Sequence, residues 1–459
     1  MGSTSAIFAV WSRLIITFLK INGSLAGPSY RRYHWTVSMQ HSPETMSALV
    51  YNIRPPQWLA CKAAGLLSSS VYWSRLCGLK FKEVPLPMLP GPRWVRLKTK
   101  LGGICGTDLS SIMQKHHPAS ILQVFSSLPA VLGHENVAVV DHVGPEVQNW
   151  KPGDRVVAES SLSCAVREID PPCPQCAAGR FTLCDNFNEG PLPPGSMIGW
   201  NNFTGGSWAP YFVAHETQLY RVPDPLSDEQ AVLTDPMAGA LHAVLKRPPQ
   251  NGESVLLLGS GFVGLGVAAS IRALGRENRL VAIGRYEKQA SWMRHFGVDE
   301  TILLGSSESQ AERYRKVAQL TGGTVLPSRF GHQALVGGFD LVYDCVGNGQ
   351  SLTDAMKYVR SGGTVVEVGT SQISIVDTTP LWFDELNLIG ANGRAFEDYS
   401  GRRVHTYEIV FELMQQGKLD VTGLLTHRFP VSEYRQAFSA LTDRRQSGAI
   451  KAAFTHPEL

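Results

Sequence analysis

Two textures divide the chain. From Met46 to about Arg221 the apolar residues come in short runs such as Trp94–Leu101, Val137–Val143 and Arg155–Ala158, broken by Pro-Gly turns like that of Lys151 to Asp154. Short β-branched runs between such turns predict a β-rich domain. From Glu253 the period changes. The apolar runs VLLLG, LVAIG, TILLG, FDLVYDCVG and TVVEVG alternate with longer stretches of helical spacing, FVGLGVAASIRALG, KQASWMRHFG, SQAERYRKVAQL and SLTDAMKYVRSGG. Strands alternating with helices of that length predict βαβ units and a parallel sheet. Beyond about Arg394 the elements are mixed again, with a helix expected over His405–Gln416. The expected division is an extension over 1–45, a β-rich domain over 46–225, an α/β domain over 226–393, and a return to the first domain over 394–459.

Within the α/β part, Gly259, Gly261 and Gly264 stand as G-x-G-x-x-G between a strand and a helix. In that setting the first glycine permits the tight turn, the second lets the backbone approach a pyrophosphate, and the third allows close helix packing. The helix N-terminus then offers free N–H groups to the phosphates. At the end of the next strand an NAD-binding fold usually carries Asp or Glu. Here the strand ends at Gly284, followed by Arg285, which favours the 2′-phosphate of NADP over NAD.

Composition excludes several classes. The 459 residues, 43% hydrophobic and 18% charged with a net charge of +3, describe a globular chain with no case for a nucleic-acid or membrane partner. Eight cysteines are too few to staple a chain of this length, and four fall in one short segment. Clustered cysteines of this kind point to metal and to a reducing compartment, so a cytoplasmic location is expected. The first acidic residue is Glu44, preceded by Arg13, Lys20, Arg31 and Arg32 among apolar residues and serines. That is the pattern of a mitochondrial transit peptide, which would place the protein in the matrix, or of a start set too early, with Met39 or Met46 as the true one.

The motifs GICGTDL, with Cys105, Thr107 and Asp108, and LGHENV, with His134 and Glu135, supply a thiolate, an imidazole and carboxylates. That donor set suits a catalytic zinc, which takes three protein ligands and keeps one position open. Together with VGPEVQNWKPGDRVV, TDPMAGALHAV, GSGFVG and the cysteine segment, these motifs resemble the zinc-dependent medium-chain alcohol dehydrogenases, in the branch of the sorbitol and threonine dehydrogenases. The resemblance runs from about Met46 to the C-terminus. It implies a GroES-like catalytic domain plus a Rossmann doubly wound coenzyme domain. Cys105 and His134 would bind the catalytic zinc, with Glu135 or Asp235 of the TDP motif as the remaining ligand. Asp108 would orient the imidazole of His134. Thr107 would pass the proton of a zinc-acidified substrate hydroxyl towards solvent while hydride moves to the nicotinamide. Val368 and Gly369 match the strand beside the nicotinamide, and the strand Leu386–Gly393 matches the edge through which relatives pair, so a homodimer or homotetramer is expected.

The family also holds a structural zinc through four closely spaced cysteines. Here Cys173, Cys176 and Cys184 match, but Asp170 stands where the first cysteine is expected. Cys164 is the nearest replacement, giving C-x8-C-x2-C-x7-C, because loop closure costs little more for a longer loop. Asp170 is the alternative fourth ligand. The leading expectation is thus a zinc oxidoreductase moving hydride between an alcohol (secondary alcohol, polyol or hydroxy-amino acid) and NADP or NAD. The rivals are a metal-free quinone or enoyl reductase on the same fold and a dinucleotide sensor without turnover. The stretch between Asp108 and His134 is expected to line or cover the substrate entrance. Cys345, His116, His117 and His242 are read as packing or surface residues.

Overall fold

The computed structural model describes residues 44–305, 308–327 and 333–456. The expectations of a transit peptide or a later start lie outside the described residues, apart from positions 44 and 45. The first strand, Thr45–Tyr51, pairs antiparallel with Leu79–Pro85 along its length and with Ala130–Val131 at its end. Between the first two strands lies a helix, Pro55–Ala64, where the apolar pattern predicts only strands and loops. Cys61 on this helix is joined to Cys77 by a disulfide, both residues being fully buried. A reducing compartment does not favour such a bond.

The strand Trp94–Gly103 organises the seven-stranded sheet of the first half. One edge pairs with Asn136–Val143; the other pairs with Tyr211–His215 along its first half and with Lys451–Thr455 at its end. Gly102 therefore lies between Asn136 and Phe454. This register has a direct consequence. Cys105 just past one strand, His134 and Glu135 just before the next, and Lys451 near the C-terminus are delivered to the same end of the sheet.

The second sheet has six parallel strands in the order Glu300–Leu303, Leu280–Gly284, Val255–Leu258, Phe339–Asp344, Val359–Glu367, Asn387–Gly390. Helices cover both faces, which is why Val255–Leu258 and Leu280–Gly284 are buried at every position. The winding direction reverses between Val255–Leu258 and Phe339–Asp344, and the crevice beyond the carboxyl ends of such strands is where a doubly wound sheet binds its ligand. Two details depart from the sequence pattern. A hairpin, Thr324–Pro327 with Gln333–Val336, is inserted before the fourth strand. The helix expected to run to Gly363 ends at Tyr358, because Val359 already pairs with Phe339.

Candidate metal centres and dinucleotide cradle

Ligand atoms of Cys105, His134 and Glu135 lie within 4.8 Å of one another. Cys105 is half-buried, while His134 and Glu135 are buried. The imidazole and the carboxylate are each held by a charged neighbour. The Asp108 carboxylate faces His134 Nδ1 at 3.4 Å and accepts a hydrogen bond from Trp200 Nε1 at 3.1 Å. Lys451 Nζ donates to Glu135 Oε1 at 2.5 Å. The other carboxylate oxygen, Glu135 Oε2, is buried with no hydrogen-bond partner. A Cβ at Gly103 would stand 2.3 Å from it, so glycine is what leaves the carboxylate its room. An orphaned buried carboxylate oxygen costs roughly 1–3 kcal/mol or more unless something satisfies it. Beside a thiol and an imidazole, a zinc ion would do so.

The electrostatics agree. Burial disfavours the His134 imidazolium, yet Asp108 and Cys105 together hold its pKa well above the usual value. Burial pushes the Glu135 carboxyl up, against the pull of Lys451 and His134. The pocket stabilises positive charge at the imidazole. Thr107 sits on its open side, its Oγ1 3.6 Å from Cys105 Sγ and 3.1 Å from Thr370 Oγ1 across the cleft.

Asp235 does not join this cluster. Its Oδ1 accepts from Tyr407 Oη at 2.5 Å and lies 3.1 Å from Arg394 Nη1, and Arg394 in turn donates to Glu159 at 2.8 Å. The buried guanidinium shared by two carboxylates keeps Asp235 in an ion-pair network beside the cluster rather than within it.

The four sulfurs of Cys164, Cys173, Cys176 and Cys184 also lie within 4.8 Å of one another, all buried. Asp170 is exposed, and its carboxylate is not part of the group. Backbone N–H groups of Cys173, Cys176, Asp185 and Asn186, with the Asn186 side-chain amide, donate to sulfur at 3.3–3.5 Å. Donors aimed at sulfur favour the thiolate. A hydrogen bond from Cys176 brings the Cys184 thiol down to about 6, while burial raises Cys164. Beside them Arg167 is fully buried, and all its hydrogen bonds go to the carbonyls of Leu162, Glu189, Leu192, Pro193 and Gly195. Burial lowers it to about 10, and the charge support it draws comes first from Cys184 and Cys164.

The glycine turn has the geometry of a dinucleotide cradle. Gly259 has φ +103°, and a Cβ at Gly264 would fall 1.9 Å from Gly259 O. A Cβ at Gly261 would meet only Arg444 Nη1, at 3.6 Å, so the middle of the turn is open to a ligand. At Gly284 a Cβ would collide with Ser260 Oγ at 2.1 Å, which explains the missing carboxylate there. Arg285 is exposed, with no ion-pair partner among the described residues. Val368 and Gly369 are half-buried and both donate their N–H to Asp344 O at 2.9 Å.

Several supporting residues escape the sequence pattern: Trp200 behind Asp108, Lys451 behind Glu135, Arg394 against Asp235, Thr370 against Thr107. Each lies far along the chain from the group it holds, and no local motif marks it. His242, read as packing, is buried and pairs with Glu397 at 2.5 Å. Cys345 is half-buried, with only a weak contact to Tyr343 O. The stretch between Asp108 and His134 forms a short turn, Ile121–Phe125, that packs Phe125 on Phe187 of the cysteine lobe, ring centroids 5.6 Å apart.

Residues 91–224 match the alcohol dehydrogenase GroES-like domain and residues 263–406 the zinc-binding dehydrogenase family. L-idonate 5-dehydrogenase of Vitis vinifera is 28% identical over 83% of this chain and 93% of its own length. L-threonine 3-dehydrogenase of Legionella pneumophila (strain Corby) is 28% identical over 81% and 96%. Among solved structures, a zinc-binding dehydrogenase from Sinorhizobium meliloti 1021 bound to NADP superposes with a TM-score of 0.64 at 22% identity, covering 90% of this chain and 99% of that one. Galactitol-1-phosphate dehydrogenase from Escherichia coli gives 0.64 at 21%, covering 89% and 100%. No helix among the described residues is long and apolar enough to cross a membrane. With a GroES-like sheet carrying the thiol–imidazole–carboxylate cluster and a Rossmann sheet carrying the glycine turn, the chain belongs to the zinc-dependent medium-chain alcohol dehydrogenase family and is an oxidoreductase that moves hydride between an alcohol and a nicotinamide dinucleotide.

Proposed function

We propose that Cys105, His134 and Glu135 hold the catalytic zinc, that Cys164, Cys173, Cys176 and Cys184 hold a second, structural one, and that the cofactor is NADP with a polyol or related secondary alcohol as substrate. The observation that carries the first assignment is Glu135 Oε2, buried, unpartnered and within reach of the thiol and the imidazole. Asp235, tied to Arg394 and Tyr407, acts beside the metal site as part of an ion-pair network. The names of the relatives, polyol and threonine dehydrogenases, support the substrate class. The NADP-bound structural neighbour and the unpaired Arg285 support the cofactor.

Bound zinc supplies the Lewis acidity that lets a substrate hydroxyl ionise near neutral pH, and the nicotinamide supplies the hydride acceptor. The chain does the rest. Asp108, anchored by Trp200, fixes the ring of His134 so that Nε2 faces the cluster. Lys451 holds Glu135 by one oxygen and leaves the other free. Thr107 Oγ1 stands beside Cys105, where it accepts the hydroxyl proton and hands it outward. Gly259, Gly261 and Gly264 seat the pyrophosphate, and Val368 and Gly369 shape the wall beside the nicotinamide. The exposed Trp382, Phe383 and Leu388 beside the edge strand Asn387–Gly390 support pairing of two copies through that edge.

Metal analysis of the full chain, with an alcohol panel read by reduction of NADP or NAD, tests this reading. Two zincs per chain and turnover of a polyol with NADP are expected. No zinc, or reduction of a quinone or enoyl compound without it, would put the metal-free reductase in its place. Dinucleotide binding without turnover on any alcohol would favour the sensor. Arg285→Ala should weaken NADPH binding by roughly tenfold, as loss of a charged hydrogen bond does, and leave NADH unchanged.

A further inference from the structure

Opposite the glycine turn the structure gathers positive charge that no carboxylate answers. Arg444, half-buried near the C-terminus, places Nη1 over Gly261. Its Nε donates to Leu441 O at 2.9 Å, and its two terminal nitrogens have no hydrogen-bond or ion-pair partner among the described residues. The neighbouring carboxylate, Asp443, turns away to cap the backbone of Gln446. Burial lowers the Arg444 guanidinium, and the electrostatic support it draws comes from the Tyr286 phenol. Lys115, exposed on the catalytic side, is lowered by burial, by Arg444 and by Lys62, with no acid offsetting them. Lys62 Nζ itself rests on Gln114 O at 2.8 Å.

The residues flanking Lys115 add an independent sign. Gln114 has φ +54° and is 2% exposed, and His116 is 5% exposed. Both polar atoms of the Gln114 side chain are buried without partners. Like-charged side chains brought together around unsatisfied polar groups cost stability unless an anion enters. The glycine turn sets what that anion is, because Arg444 stands directly over the position where a dinucleotide's phosphates pass.

We propose that Arg444, with Lys115 beside it, forms the outer wall of the pyrophosphate seat, so that the cofactor's phosphates are clamped between the glycine turn and these two cations. The assignment rests on the dinucleotide-binding reading and extends it to residues outside the Gly259–Gly264 motif. It separates two jobs. Arg285 chooses between NADP and NAD, whereas Arg444 and Lys115 hold the group that both cofactors share.

Equilibrium binding of NADH, NADPH, ADP-ribose and adenosine to the full-length protein tests it, with Arg444→Gln, Arg444→Lys and Lys115→Met alongside wild type. Arg444→Gln should weaken NADH, NADPH and ADP-ribose by the same factor, roughly 10- to 100-fold for a charge-assisted pair, with adenosine unchanged. Arg444→Lys should recover part of the loss, and Lys115→Met should cost several-fold and flatten the dependence on salt. Adenosine binding and zinc content at wild-type levels show that the variants are folded. Wild-type ADP-ribose affinity in Arg444→Gln would overturn the proposal. So would equal loss for adenosine, which marks a merely structural role, and so would an effect confined to inorganic phosphate or a sugar phosphate, which assigns the cations to the substrate. Failure of wild type to bind any dinucleotide would sink the functional reading itself.

Discussion

The two candidate metal centres differ in how the chain builds them. The four sulfurs come from one stretch, 164–184, and their hydrogen-bond donors come from that stretch and its immediate continuation: the backbone N–H groups of Cys173, Cys176, Asp185 and Asn186 and the Asn186 side chain. The cluster of Cys105, His134 and Glu135 is assembled by strand register and braced from far along the chain, Glu135 by Lys451 and the Asp108 that faces His134 by Trp200. One centre uses like donors, all buried, and leaves no open position. The other uses unlike donors, with a half-buried thiol and Thr107 on its open side. A site that only holds structure can be local and closed. A site that must admit a substrate has to keep one side free and draw its rigidity from the rest of the sheet.

The sharpest way to break that contrast is to remove one ligand from each. Cys105→Ala should lower alcohol turnover by about a thousandfold or more, because Lewis-acid stabilisation of several kcal/mol is lost. The chain should keep the lobe zinc, and its unfolding midpoint should move little. Turnover within tenfold of wild type would remove the catalytic assignment. Cys164→Ala should do the reverse. It should release the lobe zinc and destabilise the chain by roughly 4 kcal/mol, the scale of losing a structural metal. Dinucleotide binding should survive, and Asp170→Asn should change nothing. If Cys164→Ala keeps both zincs while Asp170→Asn loses one, the exposed carboxylate is the ligand after all.

The same contrast governs what could be read from the sequence. G-x-G-x-x-G between strand and helix, the three closely spaced cysteines and the GICGTD and GHE motifs are local. Alternating strands and helices likewise made the parallel sheet legible, since periodicity is a local property. Glu135 and Asp235 could not be told apart by motif. What separates them is Arg394 and Tyr407 engaging one and Lys451 leaving half of the other free. Those contacts span 159 and 172 residues in one case and 316 in the other. The helix Pro55–Ala64 escaped for a different reason: it buries only Cys61, so it shows almost no apolar period, and its anchor is the bond to Cys77. Arg444 looks like one more charge in a polar tail until the fold sets it over Gly261.

The smallest effect concerns the seam where the lobe meets the rest of the chain. Phe181 of the lobe stacks on His405, centroids 6.5 Å apart, and His405 also stacks on Tyr220 at 4.7 Å. His405 is fully buried, and burial, reinforced by Arg394 and His242, brings its pKa down to about 3. A histidine near 6.5 in the unfolded chain and near 3 in the folded one binds its proton preferentially when unfolded. Its contribution to stability is therefore complete above about pH 6.5 and is lost as pH falls towards 3, at about 1.4 kcal/mol per pH unit. His405→Asn retains a side-chain acceptor for the Tyr407 N–H, which Nδ1 now takes at 3.3 Å, but cannot titrate. Denaturant unfolding at pH 7, 6 and 5 should show a shallower loss of stability in the variant, by about half that amount from pH 7 to 6 and nearly all of it from pH 6 to 5, whatever constant offset the lost ring contacts add. Parallel pH profiles for the two proteins would mean that the seam does not sense protons, and that acid acts on the chain through other buried groups such as His215 and His456, both held near 4 by burial.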